Sequence, residues 1–157
     1  MTTIRTARTY DAAAIAGLCG ELGYPATRAQ IVSRLAAIEM DAQSCVLVAE
    51  DVSGVAVGWM QLALCASLAD EPCTEIRGLV VAASARGRGI GGELLLEADA
   101  WAHARGCARV CVRSRVERER AHRFYERAGF VRAKTQAVFG RAVRVSIREK
   151  RSAGMAR

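Results

Sequence analysis

The chain has 157 residues, is 52% hydrophobic and 25% charged, and carries a formal net charge of +7. That length and balance fit a soluble globular protein whose core needs no disulfide staples. No apolar run approaches the roughly 20 residues of a membrane-spanning helix, and "MTTIRTARTYDAAAIAG" has no continuous apolar stretch of the secretory kind, so the expectation is a cytoplasmic protein with no membrane partner.

"TIRTAR" alternates as a short strand. Asp11 stands where an N-cap belongs, ahead of "AAAIAGLCGELG", whose Ile15, Leu18, Cys19 and Leu22 keep a helical period and whose Gly23 ends it. Thr27 caps a second helix, "RAQIVSRLAAIEM". "SCVLVAED", a turn at "DVSG" and "VAVGWMQLAL" read as a β-hairpin, and "TEIRGLVVA" follows the polar loop "ADEPC" as a fourth strand. A glycine-rich stretch then leads into a helix over residues 90–104, which Gly106 ends. "ARVCVRS" is the fifth strand, and "ERAHRFYERA" is a short helix closed by Gly129. "FVRAKTQA" and "VFGRAVRVSI" are expected to add two more strands. No repeat or linker divides the chain, so one domain is expected over residues 1–150, with a tail over 151–157. The strand–helix–strand unit in the middle makes two strands parallel, and the fold class is α/β.

Charge is unevenly spread: residues 1–104 hold 7 Lys+Arg against 12 Asp+Glu, and residues 105–157 hold 16 against 4. The arginines of the second half alternate with apolar residues in "RVCVRSRV" or lie on a helix in "RERAHRFYER", and both patterns read as solvated faces. No nucleic-acid-binding signature accompanies them, so no nucleic-acid partner is expected. The six cysteines form no CxxC pair and have only two histidines for company; they read as reduced, mostly buried thiols, with no metal site.

"ARGRGIGGELL", residues 85–95, places backbone freedom directly in front of a helix. The first N–H groups of a helix lack intrahelical partners, the helix dipole adds positive potential, and glycines remove the Cβ atoms that would keep a ligand away. A strand, a glycine turn and a helix start therefore form a phosphate cradle, here built from Arg86, Gly87, Arg88, Gly89, Ile90, Gly91 and Gly92. The stretch lacks the Lys-Ser/Thr pair of a nucleoside-triphosphate loop. Gly87, Gly89 and Gly92 satisfy the GxGxxG spacing, but four strands precede them, which is not where a dinucleotide fingerprint belongs.

Arg86-x-x-Gly89-x-Gly91 after "LVV", with "LL" in the following helix, resembles the acyl-CoA pyrophosphate loop of the GNAT superfamily of N-acetyltransferases. "SRVERERAHRFYERAGF" resembles that superfamily's later motif, a short helix that carries a tyrosine and ends in Gly-Phe. The resemblance implies a mixed, mostly antiparallel sheet with two central parallel strands that splay apart, flanking helices, and acetyl-CoA as co-substrate. The pantetheine arm would lie along Leu79, Val80 and Val81, with the Leu79 N–H polarising the thioester carbonyl. Glu75 would be the base, acting through a water, the alternative being a plain pairing with Arg77 or solvation of the strand edge. Tyr125 would be the acid that protonates the departing thiolate, the alternative being a core aromatic like Phe124. Many members carry Asn seven residues before that tyrosine; Arg118 stands there in this chain, either against the cofactor or as a surface cation, and His122 faces a similar choice.

The implied activity is acetyl transfer to a primary amine of a small molecule; alternatives are acetylation of a protein N-terminus or lysine, or a non-catalytic CoA sensor. "EIRGLVV" with "RAHRFYERAGF" is most similar to members that act on small molecules such as aminoglycosides or aminoalkylphosphonates. The acidic loops "IEMDAQ" and "LADEP", which would draw a cationic acceptor, favour the first kind. Dimers are common in the superfamily, and the apolar final strand would supply a homodimer interface.

Overall fold

The computed structural model describes residues 2–144. Five strands follow one another across a single sheet in chain order: β1 (Thr3–Thr6), β2 (Ser44–Glu50), β3 (Ala56–Cys65), β4 (Cys73–Val81) and β5 (Val110–Val112). The first four pair antiparallel, and β5 runs parallel to β4. A parallel neighbour needs a crossover, and helix α3 (Ile90–Ala104) supplies it.

Alternating apolar residues give the sheet two buried faces. Val48, Trp59 and Val80 pack with Ile15 and Leu18 of α1 (Ala12–Leu22) and Ile31 of α2 (Arg28–Glu39). Met60, Leu62 and Ile76 pack on the other side against Ile90, Leu94 and Ala98 of α3, with Phe124, Tyr125 and Phe130 at its edge. Phe124 and Tyr125 belong to α4 (Glu119–Arg127). The result is the expected α/β architecture with a mixed sheet between helices.

Several local signals act as the sequence predicts. The Thr27 hydroxyl accepts from the Gln30 N–H at 3.1 Å and the Gln30 side chain accepts from the Thr27 N–H at 3.0 Å, a reciprocal cap on α2. Gly23 ends α1, and Asp51 folds the hairpin turn by accepting from the Ser53 and Val55 N–H groups.

Asp11 stands at the N-cap of α1, as expected, but its side chain makes no capping bond to the helix. Its carboxylate turns to Arg5 of β1, accepting at 2.8 and 2.9 Å, and accepts from the Arg8 N–H at 2.7 Å. Arg5 also pairs with Glu50 of β2. A charge-assisted bidentate pair outcompetes a single capping bond. Asp11 is buried, at 4% exposure. Burial raises its carboxyl, but the Arg5 hydrogen bond, the Arg8 N–H and both positive charges outweigh burial and hold it below the ordinary aspartate value of 3.8. The folded state thus binds this proton more weakly than the unfolded chain, so the stabilisation is present above the unfolded value and lost as pH falls through the folded one. Asp11→Asn should cost about 1.5–3 kcal/mol at pH 7. In denaturant melts the gap from the parent should close below about pH 4; an equal gap at pH 7 and pH 3 would show that charge is not the cause.

The two expected C-terminal strands are corrected as far as the structure describes them. Residues 131–144 carry no secondary structure and are exposed, with Val138, Phe139 and Val143 each at least 92% exposed. An alternating pattern becomes a strand only beside an edge that accepts it, and β5 offers a ladder of three residues. The rest of "VFGRAVRVSI", the tail over 151–157 and the homodimer surface assigned to that strand lie wholly or partly outside the described residues.

Candidate active site

The turn between β4 and α3 is shaped by its own arginines. The Arg86 Nε donates to the Val81 carbonyl at 2.9 Å, and an Arg88 Nη donates to the Ser84 carbonyl at 3.3 Å. Glu21 at the end of α1 accepts from the Ala83 N–H at 2.8 Å and lies 3.6 Å from Arg86. The chain then passes through Gly89 at φ +83°, a left-handed conformation that disfavours any side chain. The first helical bond of α3 runs from the Glu93 N–H to the Gly89 carbonyl, which leaves the N–H groups of Ile90, Gly91 and Gly92 without a partner inside the helix. Gly91 serves packing as well: a Cβ there would lie 3.0 Å from the Phe124 ring, so the bare backbone lets α4 close on α3.

Beyond the turn, β4 and β5 part. Their ladder covers Thr74–Ile76 against Val110–Val112 and stops. On its other side β4 slips register against β3, with Gln61 opposite Gly78 and Leu62 opposite Ile76, so Arg77 is the extra residue of a β-bulge. A bulge bends the strand that carries it, and here the bend coincides with the divergence. Gly78 and Leu79 line the cavity that opens, together with Ser114, Tyr125, Trp59 and the apolar flanks of α1 and α2. Its volume is about 390 Å³, of the size that takes small molecules.

Tyr125 reaches this cavity from α4, stacked edge-on against Phe124 and Phe130 with ring centroids 5.1 and 5.4 Å away. Burial raises its hydroxyl above the ordinary tyrosine value, and the Arg118 charge opposes that rise only in part. Tyr125 therefore stays protonated through neutral pH and can donate. Arg118 also lines the cavity and donates to the Leu22 carbonyl at 3.4 Å, spanning from the start of α4 to the end of α1. His122 does not line the cavity; it bonds the Arg115 carbonyl at 2.9 Å and Arg132 at 3.2 Å. An arginine can only donate, so the Arg132 contact assigns the proton to Nε2, which donates to Arg115.

Glu75 lies beside the cavity in a shallower pocket formed with Ile76, Arg77 and Arg113. It is 8% exposed, pairs with Arg77 at 3.5 Å and Arg113 at 3.2 Å, and accepts from the Cys65 thiol at 3.2 Å. A carboxylate has about four acceptor positions. The Cys65 thiol takes one and the two guanidiniums lie within ion-pair distance, so acceptor capacity remains for a water. Cys73 and Cys111 meet nearby at 3.2 Å, and burial together with the Cys73 thiol pushes Cys111 up to about 12.

The structure thus brings Leu79, Arg118 and Tyr125 onto one cavity and puts Glu75 next door, joined to it through the shared Ile76, Arg77 and Arg113. The acidic loops expected to attract a cation are elsewhere. Asp41 is bound to Ser44 and the Gln43 N–H, Asp70 pairs with Arg109, and neither lines the cavity. Missed in the sequence as cavity-lining residues are Arg34, Arg77, Arg113 and Arg115. Val112, Arg113, Ser114 and Arg115 line the wall consecutively as the chain leaves β5, which strand alternation does not signal.

A family model described as the acetyltransferase (GNAT) family matches residues 15–130, from within α1 to just past α4. No curated protein sequence matches the chain. Among solved structures, a transcriptional regulator from Bacillus halodurans C-125 superposes with a TM-score of 0.79 at 24% identity, covering 89% of this chain and 99% of that one. An aminoglycoside antibiotic 6'-N-acetyltransferase from Acinetobacter baumannii gives 0.79 at 16%, covering 91% and 99%. An aminoglycoside N-acetyltransferase in complex with CoA gives 0.77 at 19%, covering 90% and 95%. These identities speak for a shared fold. The family match spans well over half of the chain and includes both the glycine turn and the tyrosine-bearing helix, so the protein belongs to the acetyltransferase (GNAT) family and is an acyltransferase.

Proposed function

We propose that the protein moves an acetyl group from acetyl-CoA to the primary amine of a small molecule by direct attack on the thioester. The observation that carries this reading is the geometry at α3: a glycine turn with three open N–H groups leads straight to the divergence of β4 and β5 and the cavity behind it. A similar solved structure holds CoA, which supports the same occupant here.

In this reading Ile90, Gly91 and Gly92 offer their N–H groups to the pyrophosphate, with Gly87, Arg88, Gly89 and Arg86 shaping the turn around it. Leu79, Val80 and Val81 present β4 backbone to the pantetheine arm, and Arg118 contacts the cofactor from the opposite wall. Acetyl-CoA supplies an activated acyl carbon. The Leu79 N–H polarises its carbonyl oxygen. The amine nitrogen bonds to that carbon, the carbon–sulfur bond breaks, and the Tyr125 hydroxyl gives its proton to the leaving sulfur. Glu75 takes the proton lost by the amine through a water. The products are an amide and free CoA. A cavity of about 390 Å³ walled by α1 and α2 favours a small acceptor over a protein chain.

Acetyl-CoA with a panel of primary amines, followed by release of free thiol, tests the activity; no release with any amine would contradict it. Glu75→Gln should lower kcat by about 10–100-fold, within or below the usual range for a lost proton acceptor, and leave acetyl-CoA affinity unchanged. Unchanged kcat would return Glu75 to a purely structural role between Arg77 and Arg113.

A further inference from the structure

The cavity wall carries five guanidinium groups, from Arg34, Arg77, Arg113, Arg115 and Arg118, and none of its described lining residues is Asp or Glu. The carboxylates near them are Glu75, already paired with Arg77 and Arg113, and Asp41, which feels the Arg77 charge. Five arginines against these two acids leave a formal +3 around a small, otherwise largely apolar space. Among the described residues Arg34 and Arg115 have no carboxylate partner; Arg115 lies 5.1 Å from the Tyr24 ring centroid instead. The Trp59 indole N–H is buried on the same wall with no hydrogen-bond partner among the described residues, one more donor without an acceptor.

Nothing already assigned offsets this charge. The phosphates of CoA go to the α3 turn, and the pantetheine arm and thioester that enter the cavity are uncharged. Arg34, Arg77, Arg113 and Arg115 are exposed, so their guanidiniums are accessible to a ligand, and a planar guanidinium matches a carboxylate or phosphate with two parallel hydrogen bonds.

We propose that the acceptor is a primary amine that also carries an anionic group, a carboxylate or a phosphonate, bound by Arg34 and Arg115, with an apolar body against Ile15, Leu22 and Leu35. The inference rests on the acetyl-transfer reading and reverses the expectation of a cationic acceptor drawn from the acidic loops.

The test uses the full chain and four amines: phenethylamine, phenylalanine, the phosphonate analogue of phenylalanine, and spermidine. Each is titrated calorimetrically into CoA-saturated protein and assayed with acetyl-CoA. The two anionic amines should bind and react at least tenfold better than phenethylamine, and spermidine least of all. The better of the two identifies the anion, and raised salt should narrow the gap. Arg34→Gln and Arg115→Gln should each raise KM for the preferred anionic amine about tenfold, the effect of one lost charge-assisted contact, while acetyl-CoA affinity holds. Equal or better use of spermidine or phenethylamine, or failure of both anionic amines to bind while acetyl-CoA does, would overturn the inference and leave acetyl transfer standing. Failure of acetyl-CoA itself to bind would instead overturn the reading beneath it.

Discussion

Gly89→Val should weaken acetyl-CoA binding about 100-fold, because a left-handed backbone costs an ordinary residue about 1–2 kcal/mol and a β-branched one more, and the turn can relieve that strain only by re-aiming its donors. Gly89 sits at φ +83° with open space where its Cβ would be, so the penalty comes from backbone conformation and not from a clash. Two neighbours are internal controls. Gly91→Ala puts a methyl 3.0 Å from the Phe124 ring and should lower Tm by disturbing the α3–α4 contact. Gly92→Ala meets nothing within 4 Å of the protein inside α3 and should raise stability by about 0.5–1 kcal/mol. Calorimetry and thermal melts on the three variants separate loop geometry from packing. Near-parent affinity in Gly89→Val would mean that the turn does not hold the cofactor.

Tyr125→Phe should lower kcat by about 100-fold or more, the range a general acid contributes, and leave acetyl-CoA affinity nearly unchanged. The substitution preserves the ring and its stacking on Phe124 and Phe130, so only the proton is removed. Because burial raises the Tyr125 hydroxyl, the parent enzyme should show no loss of rate from tyrosine ionisation below about pH 10. Steady-state rates over pH 6–10 with both proteins check this. Unchanged turnover in the variant would assign Tyr125 to the core.

Features fixed by neighbours in the chain were legible. The Thr27 cap, the end of α1 at Gly23 and the glycine turn before α3 each depend on residues within a few positions, and each stands as the sequence predicts. Features that depend on a distant partner were not. Asp11 has the right spacing for a cap, but Arg5 on β1 claims its carboxylate. The alternation after Phe130 reads as strand, yet residues 131–144 lie exposed beside a short β5 edge. The arginines of "RVCVRSRV" alternate as a solvated face would, and alternation cannot say whether that face meets bulk water or a cavity. Arg113 and Arg115 meet the cavity because β4 bends away at the Arg77 bulge, a register event between strands that no local pattern announces. Glu75 was legible as a strand-end carboxylate near the cleft with Arg77 in pairing reach; Arg113 and the Cys65 thiol, which come from other strands or loops, were not.

The most direct test of the account is calorimetric titration of the purified protein with acetyl-CoA, CoA and NAD in turn. The account predicts saturable binding of both CoA species at one site and none of NAD, because the turn before α3 is placed to receive a CoA pyrophosphate beside an opening between β4 and β5. Absence of binding by acetyl-CoA, or equal binding by NAD, would contradict it and remove the common support of every site residue named above.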